Sequence, residues 1–129
     1  SQKEGMPPMF IMKEGSTIKN LFMIYAPDGI HIRGGNILID RVINLDVCED
    51  ALSTSSKTNY TNFTIMDSVF LNCEDKGLQF NSGDNINIKN SRFINCAQPI
   101  RIPKITKNFV SENNKMTGVA SYYYLRSKD

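Results

Sequence analysis

Five short segments recur along the chain, beginning at Thr17, Leu38, Thr64, Asn87 and, more weakly, Phe109, so that their starts lie 21, 26, 23 and 22 residues apart. A repeat of that length marks a solenoid, whose units cannot bury an apolar face alone and must stack. Each segment alternates apolar with polar residues or is β-branched, which favours strand over helix. Helical solenoids need a long amphipathic helix in every repeat, and Gly34-Gly35, Gly83 and the frequent Asn and Ser residues interrupt every window long enough. The economical architecture is all-β: a right-handed, single-stranded parallel β-helix of about five coils over residues 17–129, with residues 1–16 as a partial first coil or N-terminal cap. At about 4.8 Å per coil the stack is roughly 24 Å tall.

A second ladder runs half a period later. Strand alternation sends Ile30, Leu52, Leu78, Ile100 and Tyr122 inward, followed two places on by Ile32, Thr54, Phe80, Ile102 and Tyr124. His31, Ser53, Gln79, Arg101 and Tyr123 then face solvent. Cys48, Cys73 and Cys96 fall in register at intervals of 25 and 23 residues, and Asn72 and Asn95 precede two of them. They read as a stacked row of free thiols beside an asparagine ladder, or as a bridge between neighbouring coils. Their odd number leaves no complete disulfide framework, and their spacing is not that of a zinc site.

The 129 residues, 40% hydrophobic and 22% charged, fit one domain with an ordinary core. A formal charge of +2 with no run of like charges gives no footprint for nucleic acid or an anionic membrane. The longest apolar stretch, residues 21–26, is far too short to span a bilayer. A solenoid this short exposes strand edges and apolar interior at its ends, so self-association through the ends is expected unless residues 9–12 and the tyrosines at 122–124 cover them.

The position just before each strand of the second ladder carries Asp28, Asp50, Lys76 and Gln98 in successive coils. Vertical neighbours lie about 5 Å apart, which brings Asp28 close to Asp50, with Glu49 beside it. Like charges that close are unfavourable unless a cation sits between them or one is protonated. Three carboxylates without a nearby His or Cys ligand favour a hard, oxygen-seeking ion, and calcium over a closed cage. The alternative is that Asp28-Gly29 and Glu49-Asp50 are turn residues only. Lys76, and Arg101 beyond it, complete a strip of acids and then cations that suits a chain of carboxylated sugars. His31, the single histidine, has no nucleophile in an evident triad relation to it and reads as an exposed strand residue.

At these residues the chain resembles the family 3 polysaccharide lyases, small parallel β-helical pectate lyases. The likeness runs through Gly15-Ser16-Thr17-Ile18-Lys19-Asn20, Asp28-Gly29-Ile30-His31, Asp46-Val47-Cys48-Glu49-Asp50-Ala51, Asp75-Lys76 with Gln79 and Asn81, and residues 86–90. It implies that Asp28, Glu49 and Asp50 bind Ca2+ and that Lys76 and Arg101 are catalytic. Gln79, Gln98, His31 and Lys57 are the substrate-contacting residues expected around them. Two positions depart from the family's pattern: a lysine shortly after the acidic pair is Ser55 here, with Lys57 as the nearest stand-in, and another lysine is Gln98.

The resemblance further implies β-elimination across polygalacturonate, an acidic polysaccharide met outside the cell by a secreted protein. Lys76 is the expected base, because arginine stays protonated in nearly all settings, and Arg101 the expected carboxylate clamp, with the reverse assignment as the alternative. The rival reading is a catalytically weak or inactive β-helix that binds acidic polysaccharide or serves as a structural module.

Overall fold

Every fifth residue at the corners of the chain bends it, and these bends shape the molecule. The computed structural model describes residues 6–54, 58–102, 107–118 and 123–125, the last three as backbone. Among them, thirteen non-glycine residues have φ between 51° and 69°, a left-handed conformation that Asn and Asp tolerate best. They form three vertical stacks, one per corner. The first holds Asn36, Asn62, Asn85 and Asn108, with Gly15 beneath; the second Asn20, Arg41, Asp67, Asn90 and Asn113; the third Tyr25, Asp46, Asn72 and Asn95, with Gly118 above.

Twelve strands link the bends: β1 (Pro8–Lys13), β2 (Thr17–Ile24), β3 (Asp28–Arg33), β4 (Ile37–Val47), β5 (Leu52–Thr54), β6 (Thr61–Met66), β7 (Val69–Gln79), β8 (Asp84–Lys89), β9 (Arg92–Ile102), β10 (Phe109–Glu112), β11 (Lys115–Thr117) and β12 (Tyr123–Leu125). Every pairing among them is parallel. One ladder runs β1, β3, β5, β7, β9, β12, while β2, β4, β6, β8 and β10 build the other faces with parts of β7, β9 and β11. The chain is therefore a parallel β-helix, as the repeat predicts. No described helix is long and apolar enough to cross a membrane.

Inside, like stacks on like. Ile30, Leu52, Leu78 and Ile100 form one fully buried column and Ile32, Thr54, Phe80 and Ile102 the next. Phe70 stacks on Phe93 with ring centroids 5.2 Å apart, and Phe63 meets Phe80 edge-on at 5.5 Å. Each fully buried aliphatic or aromatic side chain of this kind stabilises the stack by about 2 kcal/mol relative to exposure. Phe10, below Ile30 in the inward column, is 39% exposed, since no described strand lies beneath β1.

Three register expectations need correction. Val110, not Phe109, aligns with Asn87, and Phe109 lies over Ile86. Tyr123, not Tyr122, pairs with Ile100; Tyr122 itself lies outside the described residues. Both slips are one residue and share a cause: these last coils keep a 23-residue step from Ile65 to Ile88 to Ser111, which a large aromatic at the neighbouring position obscures. The third concerns the thiols, where Val47 rather than Cys48 aligns with Cys73, which in turn pairs with Cys96. A β-branched residue takes the inward place and leaves Cys48 partly exposed, so only Cys73 and Cys96 stack, and all three cysteines are free.

The asparagine ladders run in one direction. Asn108 Nδ2 donates to Asn85 Oδ1 (2.7 Å), Asn85 Nδ2 to Asn62 Oδ1 (3.1 Å), Asn62 Nδ2 to Asn36 Oδ1 (2.9 Å) and Asn36 Nδ2 to Glu14 Oε1 (2.6 Å). Asn95 likewise donates to Asn72 at 2.9 Å and Asn72 to Asp46 at 2.7 Å. These two ladders end on a carboxylate, which can only accept and so sets their polarity. Replacing Asn85 separates the two roles of such a residue. Asn85→Gly and Asn85→Ala both lose the ladder bonds, but only alanine meets the left-handed penalty, so it is expected to be less stable than glycine by about 1 kcal/mol. Urea denaturation of the pair checks this, and equal midpoints would remove backbone strain from the account.

Candidate functional site

Main-chain hydrogen bonds stack the acids and the lysine. Gly29 N donates to Asp50 O at 3.0 Å, Ala51 N to Lys76 O at 3.0 Å, and Lys76 aligns with Gln98. Asp28, Asp50, Lys76 and Gln98 thus occupy one column at the entry to the second ladder, above Pro8. Two glycines let the coils close there: a Cβ on Gly29 would lie 2.0 Å from the Ala51 carbonyl oxygen and one on Gly77 2.6 Å from the Pro99 carbonyl oxygen, so alanine cannot replace either without moving the strand. From the opposite wall the fully buried Asn44 donates Nδ2 to the Ala51 carbonyl at 3.2 Å, pinning the turn that carries Glu49 and Asp50.

The side chains form two groups. In the lower one, Arg33 donates to His31 Nδ1 at 3.1 Å and His31 Nε2 meets Asp28 Oδ2 at 2.5 Å. With Nδ1 accepting, the imidazole proton sits on Nε2 and is given to Asp28. His31 is therefore a half-buried partner of Asp28 rather than a free surface residue. In the upper group Lys76 lies between two acids, its Nζ in contact with Asp75 Oδ2 and 3.7 Å from Asp50 Oδ1. The Lys76 and Asp50 side chains are only 15% and 18% exposed.

Asp50 carries the largest electrostatic strain in this column. Its Oδ1 is buried and accepts no hydrogen bond, because the ammonium attracts it from beyond hydrogen-bonding distance. Burial pushes the Asp50 carboxyl up from 3.8 to about 6; Lys76 opposes the rise, while Asp75, Asp28 and Glu49 add to it. The protein holds here a carboxylate that it does not fully satisfy.

The three acids are not drawn together into a finished cage. Among the described residues no group of three or more His, Cys, Asp or Glu side chains is arranged to hold a metal ion. Asp28 turns instead to His31, and Asp50 to Lys76. The donor set is nonetheless all oxygen, and the buried, unsatisfied Asp50 Oδ1 is suited to a hard cation.

Arg101 lies one coil above Gln79, to whose Oε1 its guanidinium donates at 3.4 Å. Gln79 corrects the expectation of a solvent-facing side chain, being only 6% exposed. Its strand position does point outward, but Arg101 and Asn81 cover it, with Gln79 Nε2 donating to Asn81 Oδ1 at 2.5 Å. Gln98 stays partly exposed beside Lys76. Ser55 and Lys57 lie outside the described residues. One residue was not singled out from sequence: Arg33, which fixes the His31 tautomer. Arg33 had a legible signal, two places after His31 on the same strand face.

Comparison with known proteins points one way. The chain matches the family described as Pectate lyase over residues 1–120. It is 36% identical over 91 residues to a probable pectate lyase E of Neosartorya fischeri, an alignment covering 68% of this chain and 35% of that protein. With the pectate lyase E of Emericella nidulans the identity is 32% over 112 residues, covering 86% and 43%. With a probable pectate lyase E of Aspergillus clavatus it is 30% over 126 residues, covering 94% and 48%. The chain thus spans about a third to a half of the length of these curated relatives. No solved structure matches it.

Proposed function

Since the chain belongs to the pectate lyase family, we propose that its column of Asp28, Asp50 and Lys76, with Arg101, cleaves polygalacturonate by calcium-assisted β-elimination. The observation that carries this reading is the half-buried Asp50 carboxylate, left with a buried and unsatisfied oxygen 3.7 Å from the Lys76 amine. A metal-binding acid and a base side by side are what abstraction of a proton next to a carboxylate requires.

Asp28, Glu49 and Asp50 would hold the cation. Held by these acids, calcium would neutralise the uronate carboxylate and so would make the adjacent C5 proton more acidic. Lys76 Nζ, as the neutral amine, accepts that proton. The electron pair of the broken C5–H bond becomes the C4=C5 double bond, the C4–O bond breaks, and the leaving oxygen takes a proton from water. No oxidant or reductant is needed. Arg101 clamps a uronate carboxylate and stabilises charge that develops during abstraction. His31 and Arg33 orient Asp28; Gln98 extends the strip for substrate. Because polygalacturonate is met outside the cell, we place the protein there as a secreted enzyme.

One observation favours a second reading, a non-catalytic β-helix that only binds acidic polysaccharide. Lys76 is engaged by two carboxylates of the protein, Asp75 in contact and Asp50 at 3.7 Å, as a cation held for binding would be. Incubation with polygalacturonate and calcium decides between them. The lyase reading expects ultraviolet absorbance from unsaturated uronate ends, abolished by a chelator. Retention of the protein on a pectate gel without any such absorbance would leave the binding module.

A further inference from the structure

The polar contacts of Gln79 have a fixed direction. Asn81 Nδ2 donates to the Thr54 carbonyl at 3.0 Å. A main-chain carbonyl only accepts, so the Asn81 NH2 must face it and Asn81 Oδ1 must face Gln79. The Gln79 NH2 then has to face Asn81, at 2.5 Å, and Gln79 Oε1 is left for Arg101, at 3.4 Å. Flipping either carboxamide would set two donors or two acceptors against each other. The anchor is itself tied down, since Ser82 N donates to Thr54 Oγ1 at 3.2 Å and Thr54 Oγ1 donates to the Ser82 carbonyl at 3.1 Å.

We propose that Gln79 and Asn81 are positioning residues for Arg101, forming an amide relay that carries the orientation of the Thr54 carbonyl to the guanidinium. The inference rests on the lyase reading of Arg101, and it goes beyond it in saying why a neutral amide stands there. An amide oxygen holds the guanidinium in place without adding a counter-charge of its own. A carboxylate at position 79 would hold Arg101 as well but compete with the substrate. Gln79 therefore acts on substrate through Arg101, since both ends of its amide are engaged within the protein.

Gln79→Leu and Asn81→Leu are expected to lower kcat by roughly 10- to 100-fold by loosening Arg101. Gln79→Glu is expected instead to raise KM for polygalacturonate more than it lowers kcat. A purely structural role would not produce that split. Nuclear magnetic resonance gives a readout independent of turnover: the Gln79 side-chain amide protons should exchange slowly with solvent in the wild type, and Asn81→Leu should speed their exchange and shift the Arg101 Nε–H signal. An unchanged Arg101 signal in Asn81→Leu would overturn the relay, as would equal kinetics for Gln79→Leu and Gln79→Glu. If Asn81→Leu does not fold, the isosteric Gln79→Glu supplies the same comparison of the Arg101 signal. A wild type that makes no unsaturated product would count against the lyase reading, while the resonance arm would still decide the relay.

Discussion

Lys76→Ala is expected to remove turnover of polygalacturonate, by at least about 10²-fold, while leaving calcium affinity largely intact. Lys76 pairs with Asp50, its Nζ 3.7 Å from the Asp50 oxygen suited to a cation. The proton acceptor is the amine itself, so the variant should lose turnover at every pH tested. Calcium affinity is best compared by calorimetry above pH of about 8, because Lys76 holds the Asp50 carboxyl down and its removal lets that carboxyl rise further. Near-normal turnover in Lys76→Ala would show that another group takes the proton.

Asp50→Asn should have two opposite effects, a more stable protein without calcium and a loss of calcium binding. Burial raises the folded-state Asp50 carboxyl from 3.8 to about 6. Between those values the folded chain keeps a proton that the unfolded chain has released. Its stabilising contribution is therefore full below about pH 4 and is lost as pH rises through about 6. A rise of that size corresponds to roughly 3 kcal/mol. Asparagine carries no charge to bury, so the variant's stability should lack this slope. Calcium should restore the wild type at neutral pH and lose its effect below about pH 6, where Asp50 is protonated. Denaturation midpoints across pH, with and without calcium, check both variants. A flat wild-type profile between about pH 4 and 7 would contradict the account of Asp50, and calcium stabilisation of Asp50→Asn would contradict its role as a ligand.

The fold and the order of the site column were legible for the same reason. In a parallel solenoid, equivalent positions of successive coils touch, so periodicity alone stacks Asp28, Asp50, Lys76 and Gln98. Alternation likewise identified the inward column from Ile30 to Ile100. Register failed where the coils carry no strong landmark: Phe109 and Tyr122 attracted the alignment by size, and Cys48 by identity. The corner residues would have held it, because Asn85, Asn90 and Asn95 recur every five residues in the left-handed conformation that closes each bend. Side-chain partnerships were less legible. That Asp28 turns to His31, that two acids flank Lys76 and that Gln79 is covered all depend on rotamers and crowding within one coil, which a repeat does not encode.

This column is proposed to eliminate across a glycosidic linkage instead of hydrolysing it or merely binding the chain. Digestion of a short oligogalacturonate in heavy-oxygen water, with calcium present and the products weighed by mass spectrometry, tests it most directly. The account predicts product pairs whose masses sum to that of the substrate, one member carrying an unsaturated end and neither carrying solvent oxygen at the cleaved bond. Products heavier by one water, or an intact substrate after prolonged incubation, would contradict it.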